Sequence, residues 1–284
     1  MKHSTQTLFL AETYGVETAV KKITDVGFDV DITFNKKAFD IDDKQLPARL
    51  LKIADSAGKR FIQAHAPFGG GYENYTKNLI PTFPRIFEIC AELGIPNIVV
   101  HPLQNGRYYG NEKRLFDMNM EFYRSLVPLS ESTGVRIAIE NMWQRHPITQ
   151  KICDDVCAPP EELASYYDTL GDPKHFTVCL DVGHVALCGR EPEDAIRTLG
   201  GRIGCIHAHD VDYVADLHTL PGTAKIKWDK VCRALADVGY SGSFNLEADY
   251  FFSGFLPEQY DTALKFMHDV AKSFAAKIEE YKAQ

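Results

Sequence analysis

Eight short apolar runs, each parted from the next by a stretch of helical period, constrain the fold of this chain more than any other feature. The runs are Thr7–Ala11, Phe28–Phe34, Arg60–His65, Asn97–His101, Arg136–Glu140, Phe176–Asp181, Ile203–Ala208 and Ser243–Ala248. They are rich in β-branched residues and apolar along their length, the pattern of parallel strands covered on both faces. Between them, apolar residues recur every three or four positions over Glu17–Val26, Leu46–Ala57, Phe83–Leu93, Glu112–Thr133, Glu161–Leu170, Glu193–Leu199 and Trp228–Val238. A last helix is predicted from Pro257 to Tyr281. Gly27, Gly94, Gly134 and Gly239 stand where a helical run gives way to a strand, the usual place of a C-terminal cap. Eight strand–helix units predict an α/β protein with a (β/α)8 TIM barrel. The rival, an open doubly wound sheet, would carry a Gly-rich fingerprint after its first strand, and none is present. No Pro/Ser-rich linker divides the chain, so residues 1–284 are expected to form one domain.

Charge and cysteine usage narrow the function classes. The formal net charge of -8 disfavours a whole-surface grip on nucleic acid, which draws on many Lys/Arg–phosphate contacts. The apolar patch Leu8-Phe9-Leu10-Ala11 is too short for a signal core or a membrane span. Seven cysteines are scattered, an odd number without a secretory signal, so a reducing, cytoplasmic compartment with free thiols is expected. Cys153 and Cys157 have no matching second pair. Gly69-Gly70-Gly71 lacks the Lys-Ser/Thr of a phosphate-binding loop and reads as a loop near the mouth of a site.

The strand ends carry the chemistry. The third strand ends at His65, the fourth at His101, the fifth at Glu140 and the sixth at Asp181, with His184 three residues on. The seventh runs into His207, and the eighth carries Glu247. After the seventh strand, "CIHAHDVDYVADLHTLPG" adds His209, Asp216 and His218. In a barrel these C-terminal ends converge on one face. Carboxylates crowded there repel and desolvate one another unless a cation neutralises them. Mixed carboxylate and imidazole donors suit Mn²⁺, Zn²⁺, Fe²⁺, Co²⁺ or Mg²⁺. Cys205 faces the same way as His207 but one layer deeper, and reads as core.

The motifs "HAPF", "VVHP", "IEN", "LDVGH", "HAHD", "DLHTLPG" and "LE", in that order, resemble the xylose isomerase-like TIM barrel superfamily along nearly the whole chain. That superfamily includes sugar isomerases and epimerases, inosose dehydratases and the endonuclease IV repair enzymes. The resemblance implies a metal site of Glu140, Asp181, His207 and Glu247, with Glu140 and Glu247 also catalytic. In the endonuclease branch three zinc ions are held, and the resemblance then adds His65, His101, His184, Asp216 and His218. The sugar branch implies one divalent ion (Mn, Zn, Mg or Co), the repair branch up to three. His209 has no family ligand role and is expected to make a structural or substrate hydrogen bond. Asn141 is expected to orient the neighbouring carboxylate.

The resemblance implies a metal-dependent sugar or polyol isomerase or epimerase working through an enediolate, with a small-molecule sugar or polyol as partner. His184, Trp143, Phe68 and Tyr250 are the expected substrate contacts. Ketose 3-epimerases of the superfamily carry a Glu six residues after the strand-five Glu and an Arg six after the strand-seven His. Here those positions are His146 and Tyr213, so different substrate contacts are expected. The alternatives are an endonuclease IV-like zinc phosphodiester hydrolase acting on abasic DNA, an inosose dehydratase-like lyase, and a non-catalytic carbohydrate-binding barrel. No membrane partner is expected. The long C-terminal helix leaves room for a homo-oligomer.

Overall fold

The computed structural model describes residues 1–284. Eight parallel strands form a nearly closed barrel: His3–Gln6, Asp29–Thr33, Phe61–His65, Asn97–Val100, Arg136–Glu140, Phe176–Asp181, Ile203–His207 and Phe244–Leu246. The first seven pair in chain order, and the first also pairs with the eighth, His3 being the register partner of Phe244. The seam lies between the seventh and eighth strands. One parallel bridge, Ala208 with Leu246, joins them. There Ala208 N–H donates to Asn245 O at 2.8 Å, and Glu247 N–H donates to Ala208 O at 3.2 Å.

The helices fall where the periodicity places them, including Glu112–Thr133 to the residue. The last helix begins at Tyr260, after a single 3₁₀ turn over Pro257–Gln259, rather than at Pro257. No helix is long and apolar enough to cross a membrane. All seven cysteines are free thiols.

One strand assignment is corrected. Thr7–Ala11 is not the first strand: Leu8–Tyr14 is a helix at the barrel mouth, where Phe9 stacks on Phe252 at 4.8 Å. The strand is the polar run His3–Gln6, with Ser4, Thr5 and Gln6 all buried. Apolarity misleads here because part of this barrel's interior is polar. Ser4, Asp31, Gln63 and Asn245 are all buried, and hydrogen bonds join them. Val99, Ala138, Cys179 and Cys205 form a separate small apolar cluster, as expected of Cys205. The large core lies between the sheet and the helices, where Ile137, Ile139, Leu180, Ile206 and Leu246 meet the helical faces.

A two-stranded hairpin, Trp143–Arg145 with Ile152–Asp154, follows the fifth strand and had no clear sequence signature. It builds part of the rim.

Phe244 anchors the eighth strand, packing against Trp228 at 5.8 Å and Phe274 at 5.5 Å between ring centroids. Phe244→Ala should lower stability by about 3–5 kcal/mol in chemical denaturation. A loss well under about 1 kcal/mol would show that the strand is held by other contacts.

Candidate metal centre

Four strands deliver four side chains to one point. Glu140, Asp181 and His207 are the last residues of their strands, and Glu247 is the first residue past the eighth. Asp181 and His207 are direct register partners, and the seam bridge at Ala208 brings Glu247 beside His207. All four are buried, and their ligand atoms lie within 4.8 Å of one another. His207 Nδ1 is 2.7 Å from Glu140 Oε1, 3.1 Å from Glu247 Oε2 and 3.9 Å from Asp181 Oδ2.

Three buried carboxylates thus face a single imidazole. Burial raises the pKa of Glu140, yet His207 and His101 overcome it and hold the carboxyl well below its ordinary range. Asp181 is held down by His184 and His209, and Glu247 by His207, again against burial. His207 moves the other way: Glu247 and Glu140 outweigh desolvation and keep it protonated well above its ordinary range. Within the four-residue cluster the carboxylates still outnumber the imidazole three to one. Glu140 Oε2 also has no well-formed hydrogen bond. Three carboxylate oxygens and one imidazole nitrogen fit a divalent cation of the Mn²⁺, Zn²⁺, Fe²⁺, Co²⁺ or Mg²⁺ class.

The five further residues lie on either side of this cluster. His101 Nε2 and His65 Nε2 approach Glu140 Oε2 at 3.0 and 3.5 Å. Across the centre, His184, Asp216 and His218 meet, with His209 against them. His218 Nε2 is 3.2 Å from Asp216, and His184 Nε2 is 3.9 Å from it. His218 sits at φ 37°, a left-handed conformation that costs a non-glycine residue about 1–3 kcal/mol. Its ring offsets this: it contacts Asp216, bonds to Glu247 O at 3.0 Å through Nδ1, and stacks on His209 at 4.0 Å.

The motif "LDVGH" has a geometric reason for each polar position and its glycine. Asp181 caps the short helix Val182–Leu187, accepting from His184 N–H at 2.7 Å, and so places His184 one turn beyond itself. His184 Nδ1 is fixed by Asn141 O at 2.8 Å. The Asn141 amide exchanges two hydrogen bonds with the Asp181 backbone, at 2.8 and 2.9 Å. Asn141 therefore ties the fifth strand to the sixth. His209 Nε2 reaches both Asp181 oxygens, at 3.0 and 3.1 Å. That ring occupies the space a side chain at position 183 would need: a Cβ on Gly183 would lie 2.0 Å from His209 Cε1.

Glu140 and Glu247 of the cluster line a cavity of about 520 Å³, with Asp181 and His207 buried beside them. Phe68, Trp143 and Tyr250 line it, and Phe68 and Tyr250 keep 41% and 61% of their surface exposed. Trp143 Nε1–H donates to Asp216 Oδ2 at 3.2 Å, locking the rim hairpin to the seventh loop. Gly69 lines the mouth, as the glycine run implied. The sequence reading missed Gln6, Phe9, Glu12, Gln104 and Asp249, which complete the walls. Gln6, Phe9 and Glu12 were obscured by the misassigned first strand. Asp249 and Gln104 could have been found as polar residues just past strand ends. Burial, with Glu247 next, pushes the Asp249 carboxyl up to about 8. His146 and Tyr213 lie outside the lining; His146 Nδ1 instead accepts from Ile148 and Thr149 N–H in its own turn.

Two outcomes follow from this geometry. Without a metal, His207 holds its proton above the ordinary value of 6.5, so it is protonated at pH 7. Ligation through Nδ1 must expel that proton, so metal affinity should fall as pH falls. Calorimetry in buffers of different ionisation enthalpy should find about one proton released per ion at pH 7; none released would contradict the assignment. Gly183→Ala should displace His209 from Asp181 and destabilise the chain by about 1–3 kcal/mol, measured by denaturation. An unchanged midpoint would show that the close packing is not restrictive.

Known proteins share this architecture. A structure of a D-tagatose 3-epimerase-like protein superposes with a TM-score of 0.79 at 20% identity, covering 99% of each chain. A structure of IOLI protein with a bound zinc atom gives 0.72 at 20% identity, again over 99% of each chain. A 194-residue stretch is 26% identical to the uncharacterized protein MJ1311 of Methanocaldococcus jannaschii, covering 66% of this chain and 64% of that protein. A 139-residue stretch is 25% identical to D-psicose 3-epimerase of Ruminiclostridium cellulolyticum, covering 48% of this chain and 42% of that enzyme. The matches thus span less than two thirds of either relative. Residues 20–270 match the family described as the xylose isomerase-like TIM barrel, and the chain belongs to that family.

Proposed function

We propose that the chain is a divalent-metal-dependent sugar or polyol epimerase or isomerase, with Glu140 and Glu247 as its acid–base pair. The observation that carries this reading is the meeting of those two carboxylates in the lining of one open cavity, with the ligand atoms of Asp181 and His207 within 4.8 Å of theirs. The psicose and tagatose 3-epimerase relatives support the same class of reaction.

Glu140, Asp181, His207 and Glu247 would hold the ion. A bound divalent cation supplies Lewis acidity toward adjacent oxygens of a ketose or polyol. The chain supplies the proton handling. Glu140 and Glu247 both stay ionised, because the imidazoles around them keep their carboxyls low. One takes the proton from the carbon beside the carbonyl, leaving an enediolate. For an isomer the same carboxyl returns that proton to the neighbouring carbon; for an epimer the second carboxylate takes the proton of the substrate hydroxyl on that carbon and delivers it to the opposite face, while the first carboxyl gives its proton back to the hydroxyl oxygen. His184 is held by Asn141 through Nδ1, which leaves Nε2 to hydrogen-bond a substrate oxygen. Phe68, Trp143 and Tyr250 offer ring faces and edges to the apolar side of a sugar and limit water at the reacting carbon.

The lining also bears on the charge of the substrate. It contains imidazoles and carboxylates but no lysine or arginine. Phosphate recognition draws on cationic donors. An uncharged polyol suits these walls better than a nucleic-acid backbone. A second reading has an observation of its own: the His65–His101–Glu140 and His184–Asp216–His218 groups flank the centre as a three-ion hydrolase would need.

Metal-loaded protein in D₂O should exchange a carbon-bound proton of at least one member of a ketose and polyol panel, read by NMR. Glu247→Gln should cut that exchange by about 10²–10⁴-fold while sugar binding remains measurable. Water loss without epimer formation would redirect the assignment to a dehydratase. No exchange with any sugar, together with cleavage of an abasic-site duplex, would replace this reading with the hydrolase.

A further inference from the structure

Beneath the four candidate ligands lies a carboxylate that neither the fold nor the proposed reaction uses. Asp31 is 1% exposed on the second strand. Its Oδ2 accepts from Asn245 Nδ2 at 2.7 Å and from Gln63 Nε2 at 3.2 Å. Asn245 Oδ1 accepts in turn from Ser4 Oγ at 2.7 Å, and Ser4 Oγ lies 2.8 Å from Ser243 Oγ. Every one of these partners is neutral. The other oxygen, Oδ1, is buried without a hydrogen-bond partner. A buried carboxylate with no cation beside it is costly, so its retention calls for a countercharge or a donor nearby.

Strand geometry says where that donor is. Gln63 and Asn245 precede His65 and Glu247 by two residues, so they point the same way, one step deeper in the barrel. Asp31 is the register partner of Gln63. It therefore occupies the layer directly under the ligand residues. In that upper layer His207 turns Nδ1 toward Glu140, Glu247 and Asp181. Its other nitrogen, Nε2, is buried and has no partner. His207 Nε2 and Asp31 Oδ1 are thus two unmatched polar atoms on adjacent layers of the barrel interior. Burial raises the Asp31 carboxyl above its ordinary range; His207, followed by His65, pulls the other way without overcoming it. A metal-bound histidine nearly always passes its second ring N–H to a carboxylate, a carbonyl or water.

We infer that Asp31 is a positioning residue for His207: His207 Nε2–H donates to one water, which donates to Asp31 Oδ1. That link fixes the tautomer whose Nδ1 lone pair faces the three carboxylates. Gln63 and Asn245 hold Asp31 by its opposite oxygen, which keeps Oδ1 free for the water. His207 forms its ion pairs with Glu140, Asp181 and Glu247 and not with Asp31, so the bridge is needed. The inference rests on the metal-centre reading, but not on the identity of the substrate or reaction.

Co²⁺ titration followed by visible absorption tests it on the full chain. Wild type should bind Co²⁺; failure to bind would overturn the metal reading and this inference with it. Asp31→Asn keeps the size and the amide contacts, so it should fold with a thermal midpoint at or above that of wild type. Its Co²⁺ affinity should fall about 10- to 100-fold, with an altered absorption spectrum. Wild-type affinity and spectrum in a folded Asp31→Asn protein would overturn the inference while leaving the metal reading intact. Should that variant fail to fold, ¹⁵N-histidine NMR of zinc-loaded wild type decides. A His207 Nε2–H tautomer with a slowly exchanging ring proton supports the link. An Nδ1–H tautomer, or a freely exchanging proton, overturns it.

Discussion

Repulsion among buried carboxylates is the constraint on which this structure turns. Glu140, Asp181 and Glu247 come from strands far apart in the chain and meet as buried side chains at the barrel mouth. Without compensation they would favour protonation or unfolding. Imidazole groups from the third, fourth and seventh strands and from the sixth and seventh loops surround them, and every carboxyl in the cluster is held ionised against its burial. A divalent cation held by these four residues would complete the same balance.

The surrounding architecture holds that arrangement in place. The seam between the seventh and eighth strands is short, yet it fixes the pair that matters, since the bridge at Ala208 sets Glu247 beside His207. Asn141 ties Asp181 to the fifth strand while orienting His184. Gly183 yields its side-chain space to His209. Trp143 closes the rim onto Asp216. These contacts fix the geometry of groups that would otherwise move apart, which is what preorganisation requires.

Much of this was legible in the sequence because two signals agreed. Parallel strands buried on both faces are written as apolar runs, and polar residues at their ends stand out against them. Glu140, Asp181 and His207 could be read that way and lie at strand ends in the structure. The first strand was not legible, for the converse reason. Its residues Ser4, Thr5 and Gln6 are all buried, Ser4 and Gln6 on the polar interior side, and the apolar Leu8–Tyr14 beside it is a helix. The same polar interior hid Asp31, whose partners Gln63 and Asn245 are distant in sequence and meet it only when the barrel closes. The rim hairpin escaped because its three-residue strands are too short to show a period. Contacts that depend on loop conformation, such as those of Gln104 and Asp249 with the cavity, leave no periodic trace at all.

The central claim is that these acidic and imidazole groups share a cation. Elemental analysis of the purified chain, after equilibration with divalent metals and removal of loosely bound ions, tests it most directly. The account predicts close to one tightly held divalent ion per chain, lost when Asp181 is replaced by alanine. A chain that retains no divalent ion under any condition would contradict it.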